Sequence, residues 1–166
     1  MSAEEFAKEH PGAVCHITSG GSVAAVTKDG DIVSVCKMVG DKSVSGPELL
    51  QMAVDAGGTK LDSYEGNHGF YASHGFEPVS WCKWDDNGAD EGWINQSWLK
   101  ANGLKSDITT AELSKIPNSA LAVPREDIIF YKYTGGMSTG SAEDFKASMP
   151  AASDYMAAQA ARDGSL

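Results

Sequence analysis

Gly57-Gly-Thr-Lys-Leu-Asp-Ser-Tyr-Glu-Gly-Asn-His-Gly-Phe-Tyr-Ala-Ser-His-Gly-Phe-Glu-Pro-Val-Ser-Trp81 decides the reading of this chain. Gly57-Gly58 ends a helix, and residues 59–64 alternate as a half-buried strand does. Asn67 is suited to cap a following short helix that carries Phe70 and Tyr71 within one turn. Gly75 supplies a C′ stop, and residues 76–81 resume an extended pattern. The order is therefore helix end, strand, short helix, strand.

Working back from this stretch, residues 13–18, 22–27 and 32–39 read as three strands. Gly20-Gly21 turns the first pair, and Lys28-Asp29-Gly30-Asp31 is a hairpin signal for the second, because Asp-Gly accepts the positive φ of a tight turn. An antiparallel meander follows. Residues 40–46 form a loop, and Pro47 opens a helix over 47–56 with Leu49, Leu50, Ala53 and Val54 on one face. Strand, helix, strand over 32–64 predicts a right-handed crossover with parallel pairing. Residues 1–10 predict a turn or two of helix closed by Pro11-Gly12.

Working forward, residues 85–122 are polar and glycine-spotted, hold Trp93 and Trp98, and include a helical pattern at 109–115. They read as an insertion before a closing strand at 127–133. Ser141 to Asp144 has capping-box spacing and opens a helix that Pro150 interrupts; an Ala-rich stretch follows over 151–161. The expected organisation is one domain over 1–140, with the insertion at 85–122 and a helical tail at 141–166. No internal repeat is present.

The 166 residues suffice for one domain with a core, and 42% hydrophobic with 22% charged residues is an ordinary globular balance. No apolar run is long enough to cross a membrane, and the acidic start is unlike a signal peptide. Cys15, Cys36 and Cys82 form no disulfide framework and suit a reducing cytoplasm. A net charge of −10 argues against nucleic acid or an anionic membrane as partner. It favours an amine substrate or a basic protein surface.

Asn67, then Tyr71, then Gly75-Phe76 four residues after the tyrosine resembles the second half of the acetyl-CoA-dependent N-acetyltransferase superfamily, the GNAT fold. The resemblance covers about residues 22–82 and 127–133. It implies an α/β (α+β) fold, a mixed, mostly antiparallel sheet of six or seven strands with helices on both faces. Phe76–Trp81, Glu91-Gly-Trp93 and Asp127–Lys132 resemble a divergent phage and prophage subgroup.

In that superfamily one strand splays from its neighbour to admit the pantetheine arm, and the next loop offers N–H groups to the pyrophosphate at a helix N-terminus. By position the strand is 32–39, with Val35 and Lys37 facing the coenzyme; the loop is Lys42 to Gly46, where Lys42, Ser43 and Ser45 suit phosphate chemically. The family's loop is Arg or Gln, two residues, Gly, one residue, Gly or Ala. This chain keeps only the last glycine, Gly46, and Pro47 removes an N–H where donors are wanted. Tyr71 would protonate the departing thiolate, and Asn67 would hold the coenzyme arm. Asp62 or Glu65 is the candidate base for the amine.

Two functions are thus expected: direct acetyl transfer from acetyl-CoA to an amine, or a catalytically silent GNAT-like protein that binds a macromolecule through its acidic, Trp-rich surface. Each candidate also has a plain structural role. Tyr71 can pack beside Phe70 and Phe76, Asn67 can cap, Asp62 and Glu65 can be surface groups, and the tryptophans can form a satellite core. His68, His74 and Cys82 match no metal-ligand spacing, so no metal is expected, and no motif flanks Cys36 or Cys82 as a thiol nucleophile.

Overall fold

The computed structural model describes residues 2–85 and 96–164. In chain order it holds α1 (Ala3–Glu9), β1 (Val14–Ile17), β2 (Val23–Val26), β3 (Ile32–Cys36), α2 (Gly46–Asp55), β4 (Lys60–Tyr64), α3 (His68–Ala72), β5 (Phe76–Cys82), α4 (Gln96–Ala101), α5 (Thr110–Ser114), β6 (Ile128–Tyr133), α6 (Ala142–Ser148) and α7 (Tyr155–Asp163). The fold is mixed α+β. Its strands make two three-stranded antiparallel sheets, β1-β2-β3 and β4-β6-β5.

The resemblance implies one sheet of six or seven strands, and here the structure differs. The parallel contact expected between β3 and β4 is reduced to a single bridge, Asp31 with Lys60, beside N–H groups of Thr59 and Lys60 donating to the Gly30 carbonyl. Two glycines allow that approach. Gly30 has φ +87°, and a Cβ on it would lie 2.5 Å from Thr59 Oγ1; one on Gly58 would lie 2.5 Å from the Ile32 side chain and 2.8 Å from the Ala53 carbonyl. Beyond the bridge no ladder joins β3 to β4 among the described residues. β3 also ends at Cys36 rather than Val39, where the Met38 N–H turns to the Ser22 hydroxyl at 2.9 Å.

α2 buries Leu49, Leu50 and Ala53 in a core with Ala24, Val26, Ile32, Leu61, Phe76, Ile129 and Tyr131. Each leucine taken fully from water contributes roughly 2 kcal/mol. Strand alternation on β6 separates two faces: Ile129 and Tyr131 join this core, whereas Ile128 and Phe130 join a second cluster with Cys82, Ala158 and Tyr155. Helices therefore lie on both faces of the second sheet, α2 and α3 on one and α7 on the other.

The segment read as a tail is tied in closely. Ala152 N–H donates to the Trp81 carbonyl at 2.8 Å, Ser80 Oγ to the Ala158 carbonyl at 2.7 Å, and Trp81 Nε1 to the Met149 carbonyl at 2.7 Å. Within the expected insertion, α4 and α5 bury Leu99 and Leu113, and Arg125 donates to the carbonyls of Leu113 and Ile116. The Tyr64 and Trp84 rings stack at 5.8 Å, and the Trp98 ring packs tilted against Trp84 at 5.3 Å. Trp93 lies outside the described residues. No helix among the described residues is long and apolar enough to cross a membrane.

Candidate functional site

Tyr71 sits on α3, half-buried, with ring centroids of Phe70, Tyr131 and Phe76 at 5.2, 5.7 and 6.0 Å. Burial raises its hydroxyl pKa, while a hydrogen bond with Ser63 works the other way. Asn67 occupies the N-cap position of α3, but its side chain makes no capping hydrogen bond. It ends a short 3₁₀ turn, Glu65–Asn67, and its Nδ2 donates to Ser63 Oγ at 3.0 Å. The 3₁₀ turn inserted before the helix removes Asn67 from the extended conformation a cap needs. Ser63 thus collects Asn67 and Tyr71 on one face of β4.

A polar pair in the core joins α3 to β6. His68 Nε2 is 2.9 Å from the Gly140 carbonyl, which can only accept, so Nε2 donates and Nδ1 accepts from the Tyr131 hydroxyl at 3.0 Å. Burial pushes the Tyr131 pKa well up, which keeps the phenol protonated for that bond.

Asp62 belongs to the other face. It pairs in register with Phe130, and Tyr155 on α7 donates to Asp62 Oδ1 at 3.0 Å. The sheet therefore lies between Asp62 and Tyr71, and the two are not gathered into one acid–base pair. Around Asp62 a charge network closes: Arg162 Nη1 to Asp62 Oδ1 at 3.8 Å, Arg162 Nη2 to Asp31 Oδ2 at 3.5 Å, Arg162 Nε to Asp163 Oδ1 at 3.0 Å, and Lys60 to Asp29 and Asp163 at 3.1 and 3.2 Å. Burial first, and then the Asp31 charge, push Asp62 up to about 6; burial raises Asp31 as well. A cavity of about 690 Å³ opens on this network, lined by Glu9, Lys28, Asp29, Asp31, Asp62 and Tyr155 among others.

Glu65 is held elsewhere: its Oε2 is 2.9 Å from Lys146 Nζ, and its Oε1 accepts from the Asp127 N–H at 3.1 Å. It ties α6 to the sheet.

The loop before α2 is filled from within. The buried Asp41 carboxylate accepts from Thr18 Oγ1 at 2.6 Å, Ser22 Oγ at 2.5 Å, Ser43 N at 2.8 Å and Ser43 Oγ at 2.5 Å, and these bonds hold its pKa far below the ordinary carboxylate value. Ser45 and Glu48 form a reciprocal capping box at 3.2 and 3.3 Å. In the first turn of α2, Glu48 N is thereby taken, Leu49 N goes to the Ser45 carbonyl at 3.0 Å, and Pro47 has no N–H. Gly46 is left to offer a donor. Lys42 is exposed, as is Lys37 just past β3, and Val35 is half-buried on β3. The Ser43 hydroxyl and the Ser45 N–H donate to the protein's own carboxylates, and Asp41 and Glu48 would repel a further anion. This donor set does not suit the pyrophosphate of coenzyme A.

His74 is exposed with Nδ1 2.6 Å from the Phe70 carbonyl, apart from the buried His68. Cys82 is buried and its thiol is pushed up to about 12 by desolvation, the wrong direction for a nucleophile.

Comparison with protein-family models, curated proteins and solved structures finds no match. The geometry must carry the reading alone.

Sequence reasoning missed Arg162, Tyr155, Asp31 and Asp41. Arg162 stands in an Ala-rich helical stretch whose face cannot be assigned before its docking is known. Asp31 was visible only as a hairpin residue.

Proposed function

We propose that this chain is a GNAT-like protein that captures a cationic amine-bearing partner, a small amine or a basic protein surface, at the acidic recess between β3 and β4. The carrying observation is the cavity of about 690 Å³ lined by Glu9, Asp29, Asp31 and Asp62, with Lys28 as the ammonium on its wall. Four carboxylates at a partly desolvated mouth attract a cation far more strongly than the same groups in open water. The net charge of −10 steers basic partners toward it. The loss of pairing between β3 and β4 after the Asp31 bridge supports the GNAT likeness, since that superfamily splays a strand at this point of the chain order. The self-filled loop at 41–48 favours a protein silent toward acetyl-CoA.

A second reading, acetyl transfer from acetyl-CoA to the captured amine, draws on Tyr71, whose hydroxyl meets Ser63 on the face of β4 opposite Asp62. Tyr71 would then be the proton donor, and the coenzyme would have to be held without help from the loop.

Calorimetric titration separates the two. Capture predicts saturable binding of a Lys/Arg-rich peptide that weakens steeply with added salt, and no heat from acetyl-CoA or coenzyme A up to millimolar concentration. Micromolar acetyl-CoA binding would overturn silence and move the protein to the transferases. No binding of any cationic probe would overturn capture.

A further inference from the structure

Two carboxylates of the recess already face an internal cation. Arg162 is a charged side chain with no exposure, carried on the last described helix, and its guanidinium lies between Asp31 and Asp62, the same two carboxylates that the cavity presents. The fit is loose. The Asp31 contact is 3.5 Å, the Asp62 contact 3.8 Å, and Nη1 is buried without a hydrogen-bond partner. An arginine kept solely to fasten α7 would be expected to use its planar fork at hydrogen-bond distance. Here the guanidinium stacks 5.5 Å over the Phe130 ring, and only Nε makes a short contact, to its neighbour Asp163 at 3.0 Å. The orphaned Nη1 leaves one buried donor unsatisfied, a cost that the nearby Asp31, Asp62 and Asp163 carboxylates offset only in part.

We infer that Arg162 is an internal stand-in for the partner's cationic group, and that α7 is a strap which an incoming guanidinium displaces. This rests on the capture reading and narrows it: the preferred partner group is the guanidinium of an arginine side chain on a basic protein. The chemistry of the recess selects for it. Two carboxylates, one at the Asp31 bridge before β3 and one on β4, with an aromatic ring beneath, match a flat delocalised cation that stacks and donates in its own plane, rather than a compact, strongly hydrated ammonium. The element displaced is the nine-residue α7, anchored in this face by Tyr155, by Ala158 with its carbonyl bond from Ser80, and by Arg162. When the strap lifts, Tyr155 leaves Asp62 together with Arg162, and the cavity extends along the strand.

Hydrogen exchange of the full-length protein, with N-ethylguanidinium and ethylammonium as probes, tests this. With saturating N-ethylguanidinium, amides of residues 157–162 are expected to exchange at least about threefold faster, with α2 amides unchanged as the control against general unfolding. Ethylammonium at equal concentration is expected to leave α7 unaffected. Arg162→Ala, checked for native circular dichroism, should bind N-ethylguanidinium about tenfold more tightly than the parent, since no internal occupant then competes. Unchanged α7 exchange with the guanidinium probe would overturn the inference, and if the variant does not fold that measurement on the parent protein decides alone. Equal affinity of parent and folded variant would overturn it too. Binding of N-ethylguanidinium with α7 still protected would sink the strap while leaving amine capture intact, whereas absence of all binding would remove both.

Discussion

Tyr155 on α7 donates its hydroxyl hydrogen bond to Asp62 Oδ1 across 3.0 Å, joining the C-terminal helix to the middle of β4. The bond places a carboxyl group under a helix, in a network where the carboxylates of Asp29, Asp31, Asp62 and Asp163 face the cations Lys60 and Arg162.

That imbalance has a sign. Asp62 is pushed from 3.8 up to about 6 in the folded protein, so the fold holds a proton there that the unfolded chain releases. Its contribution is fully present below about pH 4 and is lost as pH rises through about 6; the raised Asp31 acts in the same direction. Urea denaturation should therefore find Asp62→Asn more stable than the parent at pH 7.5, by on the order of 2 kcal/mol, with the difference vanishing near pH 4. A variant less stable than the parent at pH 7.5 would contradict the burial argument.

Asp41 behaves oppositely. Its pKa is depressed by hydrogen bonds from Ser22, Ser43 and Thr18, so its stabilisation is present above the ordinary carboxylate pKa and fades as pH falls toward the depressed folded value. Asp41→Asn should lower the thermal midpoint at pH 7, and the gap from the parent should narrow on acidification below about pH 3. A gap that does not change with pH would assign the loss to packing instead.

The His68–Tyr131 bond inside the core predicts a coupling. Tyr131→Phe leaves His68 Nδ1 buried without its donor and should cost about 1–3 kcal/mol. Adding His68→Leu to that variant should cost less than the same change made in the parent, and a double-mutant cycle reads the difference. Strict additivity would show that the two groups do not depend on each other.

Tyr71→Phe separates the two functional readings. The ring contacts with Phe70, Phe76 and Tyr131 survive, so stability should change by less than about 1 kcal/mol. Binding of a cationic peptide should be unaffected, because Tyr71 and Asp62 occupy opposite faces of β4. A tenfold or greater fall in amine acetylation by the variant would instead establish Tyr71 as the proton donor of a transferase.

How far each part could be read in advance depended on the range of the forces that set it. The meander, the Asp29-Gly30 hairpin and the α2 stripe of Leu49, Leu50 and Ala53 rest on turn chemistry and periodicity within a few residues, and they came out as expected. Asn67 misled because its side chain turns back to Ser63 and the 3₁₀ turn Glu65–Asn67 holds its backbone out of the extended cap conformation. The pyrophosphate loop looked incomplete from its missing glycines alone; that its serines serve Asp41 and Glu48 became visible only when Thr18, Ser22 and Ser43 closed on one carboxylate.

The amino-acid order by itself determined the succession of elements, since strand alternation, glycine turns and capping boxes are local, and it determined the acidity that orders possible partners. Only the tertiary structure decided that Asp62 and Tyr71 lie on opposite faces of β4, and that Arg162, 100 residues beyond Asp62, comes to rest against it. Such pairings depend on which helix face docks on which sheet face, and that is settled by packing of the whole core rather than by any short stretch of chain.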